Sequence, residues 1–300
     1  MNEPVAVIYL AYGAEGYQAY VNRFFDSYKA HASGAPHQLI IAATAYRDNP
    51  TGYETLRQLA IENDAKIIDL PDGGQEFGAF YRVAKCLTTD YIFCFVTSGR
   101  IMHPNWLAVF MSANQSHPQC RLIGSSGSWE TSYPGLRVVL KRYFASNKPN
   151  RSQSSETTTR VPQHKRSISQ IIKRLFDCIS IYVQFPNYHI RTNGFLIERQ
   201  LYMQYIDRYG MPRTRKEAYD IEHGRNHLSK FVKESGFDIG VVGANGILYA
   251  PHEWDKSATF RCPDISNAVI WDRQHDAYVE AGVSEKKRCE QRAWGYTITQ

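Results

Sequence analysis

The 300-residue sequence predicts an α/β fold, a mainly parallel sheet flanked by helices. Three observations carry this reading. Through the first half of the chain, apolar runs of strand length alternate with stretches of helical periodicity, the signature of βαβ crossovers. Clusters of Gly, Pro, Asn and Asp separate these runs. The apolar run Tyr91–Val96 stops abruptly at the polar residues Thr97, Ser98, Gly99 and Arg100, as a strand does when it delivers a loop to a sheet edge. Ligands of open α/β sheets bind outside the carboxyl ends of the strands, so this stretch says where to look for a site.

The elements follow in order. Val5–Leu10 is apolar and β-branched, a buried strand, and Gly13–Gly16 breaks it. Tyr17–His31 places Tyr20, Val21, Phe24 and Tyr28 at helical spacing. Leu39–Ala43 reads as a second strand ended by Asn49-Pro50, Tyr53–Asn63 as a helix and Lys66–Leu70 as a third strand. The turn Pro71-Asp72-Gly73-Gly74 precedes a helix from about Glu76, then the strand Tyr91–Val96, a helix from Asn105 and a short strand at Leu122–Gly124. From about Pro134 to Phe185 the pattern lapses. Asn147–Gln163 is polar and aperiodic and reads as a loop or lid; Ile168–Val183 reads as an amphipathic helix, packed on the core or lying on a membrane surface. Order returns with a strand-like Tyr188–Ile197, a helix over Glu198–Tyr209 ended by Gly210, a helix over Lys216–Glu234 ended by Gly236, and short strands at Ile239–Val242 and Ile247–Tyr249.

Composition excludes several classes. Hydrophobic residues at 43% and charged residues at 21% fit neither a disordered chain nor a fibre. No apolar run approaches the roughly 20 residues that span a bilayer. The first residues, MNEPVAVIYLAYG, lack the basic start and cleavage site of a secretory signal, so a cytoplasmic location is expected. Six scattered cysteines without a CxxC pair read as free thiols rather than disulfides or a zinc site. The net charge of +6 is concentrated between Lys141 and Arg174. That basic segment suits phosphate ligands, anionic lipid or nucleic acid, and equally a solvated surface. No nucleic-acid motif accompanies it, and contact with the inner face of a membrane is the partner expected of it.

The succession of N-terminal strand, Gly-rich turn before a helix, strand with a polar end and late acidic helix resembles GT-A type glycosyltransferases, in particular family-two-like bacterial enzymes, over nearly the whole chain. The resemblance implies one GT-A-like domain: a nucleotide-binding half over residues 1–133, a variable basic insert over 134–185, and an acceptor and catalytic half over 186–300. In that family the segment TDYIFCFVTSGRIMHPNWL carries a strand ending in an Asp-x-Asp motif that holds a divalent metal. Here Ser98, Gly99 and Arg100 stand in its place, without a carboxylate. A hard cation wants carboxylate oxygens, whereas Arg100 offers a planar fork of donors to phosphate. No metal cofactor is therefore expected; Mg²⁺ or Mn²⁺ is disfavoured.

Candidate residues follow from the same segments. Tyr12, Asp72, Gly74, Gly78, Ser98, Arg100 and Arg261 are expected around the nucleotide, the glycines for close backbone approach to an anion at a helix N-terminus. Lys256 is a further cation for diphosphate oxygens, and His252 sits where some GT-A enzymes place a metal-binding His, a role doubtful without the acidic motif. Trp129 and Glu130 suit a saccharide, by ring stacking and by carboxylate–hydroxyl bonds, although a core Trp reads the same way. His189, Arg191 and Asn193 alternate along a strand and share a face. In AYDIEHGRNHL, Glu222 is the preferred general base and Asp220 the alternative, by resemblance to the acidic residue that inverting enzymes place at a helix start. Asp272, Gln274, His275 and Tyr278 form a polar cluster without an assigned role. The expected activity is an inverting, hexosyltransferase-like glycosyltransferase, moving sugar from a nucleotide-sugar donor to a saccharide or glycolipid acceptor in bacterial surface polysaccharide synthesis. The alternative is a non-catalytic carbohydrate- or nucleotide-binding protein on a decayed GT-A scaffold.

Overall fold

A computed structural model of the chain describes residues 5–131, 176 and 183–299. The basic segment, the lid expected over Asn147–Gln163 and the helix expected over Ile168–Val183 lie outside the described residues, save Phe176 and Val183.

The N-terminal half alternates as the apolar runs require. β1 (Val5–Tyr12), α1 (Gln18–Ala30), β2 (Gln38–Thr44), α2 (Pro50–Glu62), β3 (Lys66–Asp69), α3 (Gln75–Ala84) and β4 (Tyr91–Phe95) succeed one another. The short β5 (Arg100–Ile101), α4 (Trp106–Ser116), β6 (Cys120–Gly124) and β7 (Gly127–Ser128) follow. Pro50 does not merely end a strand. Asn49 caps α2, its side chain accepting from Gly52 N at 2.9 Å, and Pro50 occupies the first turn, where a missing N–H costs nothing.

Beyond the insert come β8 (His189–Ile190), β9 (Gly194–Glu198), α5 (Arg199–Tyr209), α6 (Arg215–His223), α7 (Leu228–Glu234), β10 (Asp238–Val242), β11 (Leu248–Tyr249), β12 (Ile270–Trp271), α8 (Arg273–Glu280) and α9 (Val283–Trp294). Two expectations are corrected here. The single strand over Tyr188–Ile197 is two strands, broken at Arg191–Asn193. The single helix over Lys216–Glu234 is α6 and α7, broken at Gly224, where a Cβ would stand 2.5 Å from the Asp220 carbonyl oxygen. That close packing is a tertiary constraint which helical periodicity does not register.

The main sheet has eight strands in the order β11-β10-β6-β9-β4-β1-β2-β3. β4, β1, β2 and β3 are parallel, as are β10 and β6. β9 runs antiparallel between β4 and β6, and β11 antiparallel beside β10. The architecture is therefore α/β and mainly parallel, as expected.

β1 is buried on both faces, which is why its sequence is continuously apolar rather than alternating. Ala6, Ile8 and Leu10 pack with Phe77, Phe80, Tyr202 and Tyr205 from α3 and α5. Val5, Val7 and Tyr9 pack with Phe24, Leu56, Trp106 and Phe110 from α1, α2 and α4 on the opposite face. Tyr9 stacks on Phe24 at 3.7 Å between ring centroids, and its hydroxyl donates to the Thr97 carbonyl at 3.0 Å. The core thus ties the end of β4 to β1.

Candidate active site

The chain leaves β1 toward β2 and β3 on one side, and returns to β4 on the other. The carboxyl ends of β1 and β4 therefore diverge, the topological switch point at which open α/β sheets form a crevice. A cavity of about 660 Å³ lies there. Leu10 and Tyr12 line it from β1, Thr44 and Ala45 from β2, Leu70–Gly73 from β3 and Val96–Ser98 from β4. α3, Arg191 and Thr192, α6 and the start of α8 line the remaining sides.

Several sequence-selected residues meet in this cavity: Tyr12, Asp72, Ser98, Arg191 and Glu222. The Asp72 carboxylate is oriented by the end of β2. Its Oδ1 accepts from Ala45 N at 2.9 Å and from Thr44 Oγ1 at 3.2 Å. Tyr12 packs edge-on against Tyr17, also a lining residue, at 4.9 Å.

Glu222 is on the last turn of α6, not at a helix start. Its side chain is 21% exposed and accepts from Thr192 Oγ1 at 3.3 Å. Burial raises its proton affinity above the ordinary carboxylate range; the Arg191 charge and the Thr192 hydrogen bond oppose this without cancelling it. Asp220 is on the opposite face of α6. It lines a separate hollow of about 280 Å³ with Met211, Pro212, Glu217 and Ile221, and its buried Oδ1 has no hydrogen-bond partner among the described residues. Residues 218, 219 and 222 face one way and 217, 220 and 221 the other, as helix geometry demands.

One side of the cavity is a buried ionic frame. Arg191 is 5% exposed; it donates to Asp272 Oδ2 at 2.8 Å and lies 3.9 Å over the Phe260 ring. Asp272 Oδ1 caps α8, accepting from Gln274 N at 3.0 Å and His275 N at 3.2 Å, with His275 Nδ1 at 2.7 Å. Burial alone would raise the Asp272 carboxyl, yet Arg191 and His275 hold it well below the usual range.

The other selected residues are outside the cavity lining. Gly74 and Gly78 are behind it, in the α3 turn that Gly74 begins at φ 84°. Arg100 donates to both oxygens of Asp276, the shorter contact 2.6 Å, and stacks over Trp271. Arg261 pairs with Glu130 at 2.6 Å and donates to Gln274 Oε1 at 3.1 Å. Glu130 also binds Arg292 at 2.7 Å. Burial pushes the Glu130 carboxyl up, but these two guanidiniums bring it down to about 2. Trp129 packs edge-on against Trp294 and donates to the Pro251 carbonyl at 2.8 Å. Asn193 bridges Ser126 Oγ at 2.8 Å and the Ile270 carbonyl at 3.1 Å. His189 is buried beside His223 and His227. Desolvation first, then the His223 charge, lower its pKa to about 4. His252 and Lys256 are exposed and line none of the cavity.

Sequence reasoning missed Tyr17, Arg82, Thr192, Tyr219 and Arg273, all of which line the cavity. The polar cluster around Asp272 was the signal available for Arg273. Arg82 is tied to the Gly73 carbonyl at 2.7 Å. Among the described residues no three His, Cys, Asp or Glu side chains assemble as metal ligands. The five described cysteines are free thiols.

The chain matches no protein-family model and no curated protein sequence. Solved structures are similar to it at low identity. A mannosyltransferase from Pyrobaculum calidifontis, in complex with GDP-Man and Mn²⁺, is similar at 9% identity over 94% of this chain and 66% of that one, with a TM-score of 0.45. A 4-diphosphocytidyl-2C-methyl-D-erythritol synthase from Anaerococcus prevotii is similar at 10% identity over 80% and 87%, TM-score 0.42. Glucosyl-3-phosphoglycerate synthase from Mycobacterium tuberculosis, in complex with Mn²⁺, UDP and phosphoglyceric acid, is similar at 14% identity over 70% and 66%, TM-score 0.34.

Proposed function

We propose that the chain is a glycosyltransferase of one GT-A-like domain that moves a sugar from a nucleotide-sugar donor to an acceptor hydroxyl. The observation that carries the reading is Glu222: a mostly buried carboxyl of raised proton affinity, on the wall of a cavity of about 660 Å³ at the sheet's switch point. A carboxylate whose pKa is raised toward neutrality is a better base at working pH. Glu222 takes the acceptor O–H proton. The acceptor oxygen forms its bond to the anomeric carbon as the bond from that carbon to the donor phosphate oxygen breaks. The nucleoside diphosphate leaves with the bonding electrons, and a single displacement inverts the anomeric centre. Tyr12, Tyr17 and Asp72 suit the nucleoside, a π-face and an oriented acceptor. Thr192 keeps the Glu222 carboxylate aimed.

The residues at the end of β4 do not fit the divalent metal that the family resemblance implies. Ser98 and Gly99 bring no carboxylate, and Arg100 sets a cation there. We read transfer as metal-independent. The acceptor class, saccharide or glycolipid, the place in bacterial surface polysaccharide synthesis and the cytoplasmic location, at the membrane's inner face through the basic segment, belong to the same proposal. Among the described residues, no helix is long and apolar enough to cross a membrane.

The test is turnover of a UDP-, GDP- and dTDP-sugar panel by wild type and Glu222→Gln. The amide keeps the shape and the Thr192 bond but cannot take the proton, so donor affinity should hold while turnover falls by about 10²-fold or more. Asp220→Asn is the matched control and should turn over normally. Donor binding without turnover in wild type, for any acceptor supplied, would favour the non-catalytic scaffold that the missing acidic motif suggests.

A further inference from the structure

Three arginines line the cavity: Arg82, Arg191 and Arg273. Arg82 is held by the Gly73 carbonyl, and Arg191 by Asp272 and Ser126. Arg273 alone of the three makes no hydrogen bond or ion pair among the described residues. Its lack of a partner is not for want of carboxylates. Asp272 precedes it, and Asp276 is three residues on in α8, the spacing at which helical ion pairs form. Both are already engaged. Asp272 gives Oδ2 to Arg191 and Oδ1 to His275 and the α8 amides. Asp276 gives both oxygens to Arg100, at 2.6 and 3.3 Å, across the β5–β12 pairing that brings Arg100 beside Trp271.

We propose that Arg273 is the cation that binds the donor's phosphate oxygens, and that Arg100 is a positioning residue which keeps Asp276 from neutralising it. This rests on the nucleotide-sugar reading and assigns its anion contact. Gln274 N bonds Asp272 and its side chain accepts from Arg261, so the segment carrying Arg273 is anchored on both sides. A guanidinium mounted on a fixed backbone and left without a counter-charge is prepared for a phosphate.

The experiment measures binding of UDP, GDP, uridine, guanosine and inorganic pyrophosphate to the full chain by calorimetry, at two salt concentrations. UDP or GDP should bind more tightly than its nucleoside. Arg273→Ala should weaken that diphosphate on the order of 10- to 100-fold, the scale of one charge-assisted hydrogen bond, and flatten its salt dependence while leaving the nucleoside unchanged. Arg100→Gln should also weaken the diphosphate, because Asp276 is then free to pair with Arg273. The double variant Arg100→Gln/Asp276→Asn should recover most of the loss. A direct Arg100–phosphate contact predicts no recovery, and that result overturns the positioning role. Unchanged diphosphate binding by Arg273→Ala, or equal binding of nucleoside and diphosphate by wild type, overturns the Arg273 assignment while the nucleotide reading stands. Binding of pyrophosphate sensitive to Arg273, with no nucleoside or nucleotide preference, leaves the anion site standing and removes the nucleotide-sugar reading. No binding by any probe removes both.

Discussion

Two carboxyls show how environment divides one chemistry. Glu222 loses hydration more than the Arg191 charge and the Thr192 hydrogen bond offset, and its pKa rises; Glu130 is gripped by Arg261 and Arg292 and its pKa falls to about 2. Their linkage to stability has opposite sign. The native state prefers Glu222 protonated. Its contribution is whole below the unfolded carboxyl pKa of about 4.3 and is lost as pH rises through the higher native value. Glu222→Gln should therefore raise the melting temperature at pH 7, with the gain vanishing near pH 4. The native state prefers Glu130 ionised. Its contribution is present above about pH 4.3 and is lost as pH falls toward the native value. Glu130→Gln leaves Arg261, a side chain only 9% exposed, without a counter-charge from position 130, held by Gln274 Oε1 and the Phe260 ring. The cost at pH 7 should be about 3 kcal/mol, the low end for a broken buried pair because Glu130 itself is 24% exposed. Denaturant melts at pH 7 and pH 3 check both variants; a Glu130→Gln cost that does not shrink at pH 3 would count against the ion-pair account.

At the scale of the element, α6 matters most. Thr214 caps its start, accepting from Glu217 N at 3.2 Å, and Gly224 ends it with its N–H on the Asp220 carbonyl at 2.9 Å. Glu222 therefore stands in the last turn, two residues before a terminus that depends on close backbone contact. Gly224→Ala should overpack that contact, costing about 1–3 kcal/mol. Because α6 would yield before the sheet, turnover should fall along with the melting temperature. A variant that loses stability but turns over as wild type, when each is assayed well below its own melting temperature, would show that Glu222 does not depend on this cap.

At the scale of the whole molecule, the sheet order places the cavity, walled on one side by the buried frame, at the carboxyl ends of the central strands β1 and β4. Arg100 is spent on Asp276, and the end of β4 offers no carboxylate, so transfer should proceed undiminished in EDTA. Activity lost in EDTA and restored by Mn²⁺ or Mg²⁺ would overturn the metal-independent reading. A nucleotide that binds only the native state should also raise stability, by about 2.7 kcal/mol at one hundred times its dissociation constant.

The N-terminal half was legible because a parallel strand buried on both faces must be apolar throughout. Val5–Leu10, Leu39–Ala43 and Tyr91–Val96 carry that mark regardless of their neighbours. The polar end of β4 showed itself in the abrupt stop at Thr97–Arg100, whereas the switch point rests on the spatial order of the strands, which only the folded sheet supplies. Tyr12, Asp72 and Ser98 could be picked out beside strand ends and turns, Arg191 by its alternation along an apparent strand, and Glu222 by the family resemblance. Partnership could not. Whether a guanidinium meets a ligand or a carboxylate depends on residues far away in sequence: Arg100 meets Asp276, Glu130 meets Arg261, and Asp272 meets Arg191. The antiparallel insertion of β9, the break at Gly224 and the face of α6 that Asp220 takes were likewise settled by packing. Local periodicity determined the elements of this protein, because burial imprints itself on neighbouring residues. Only the tertiary structure decided which charges remain free to act, because an ion pair between distant residues leaves no local trace.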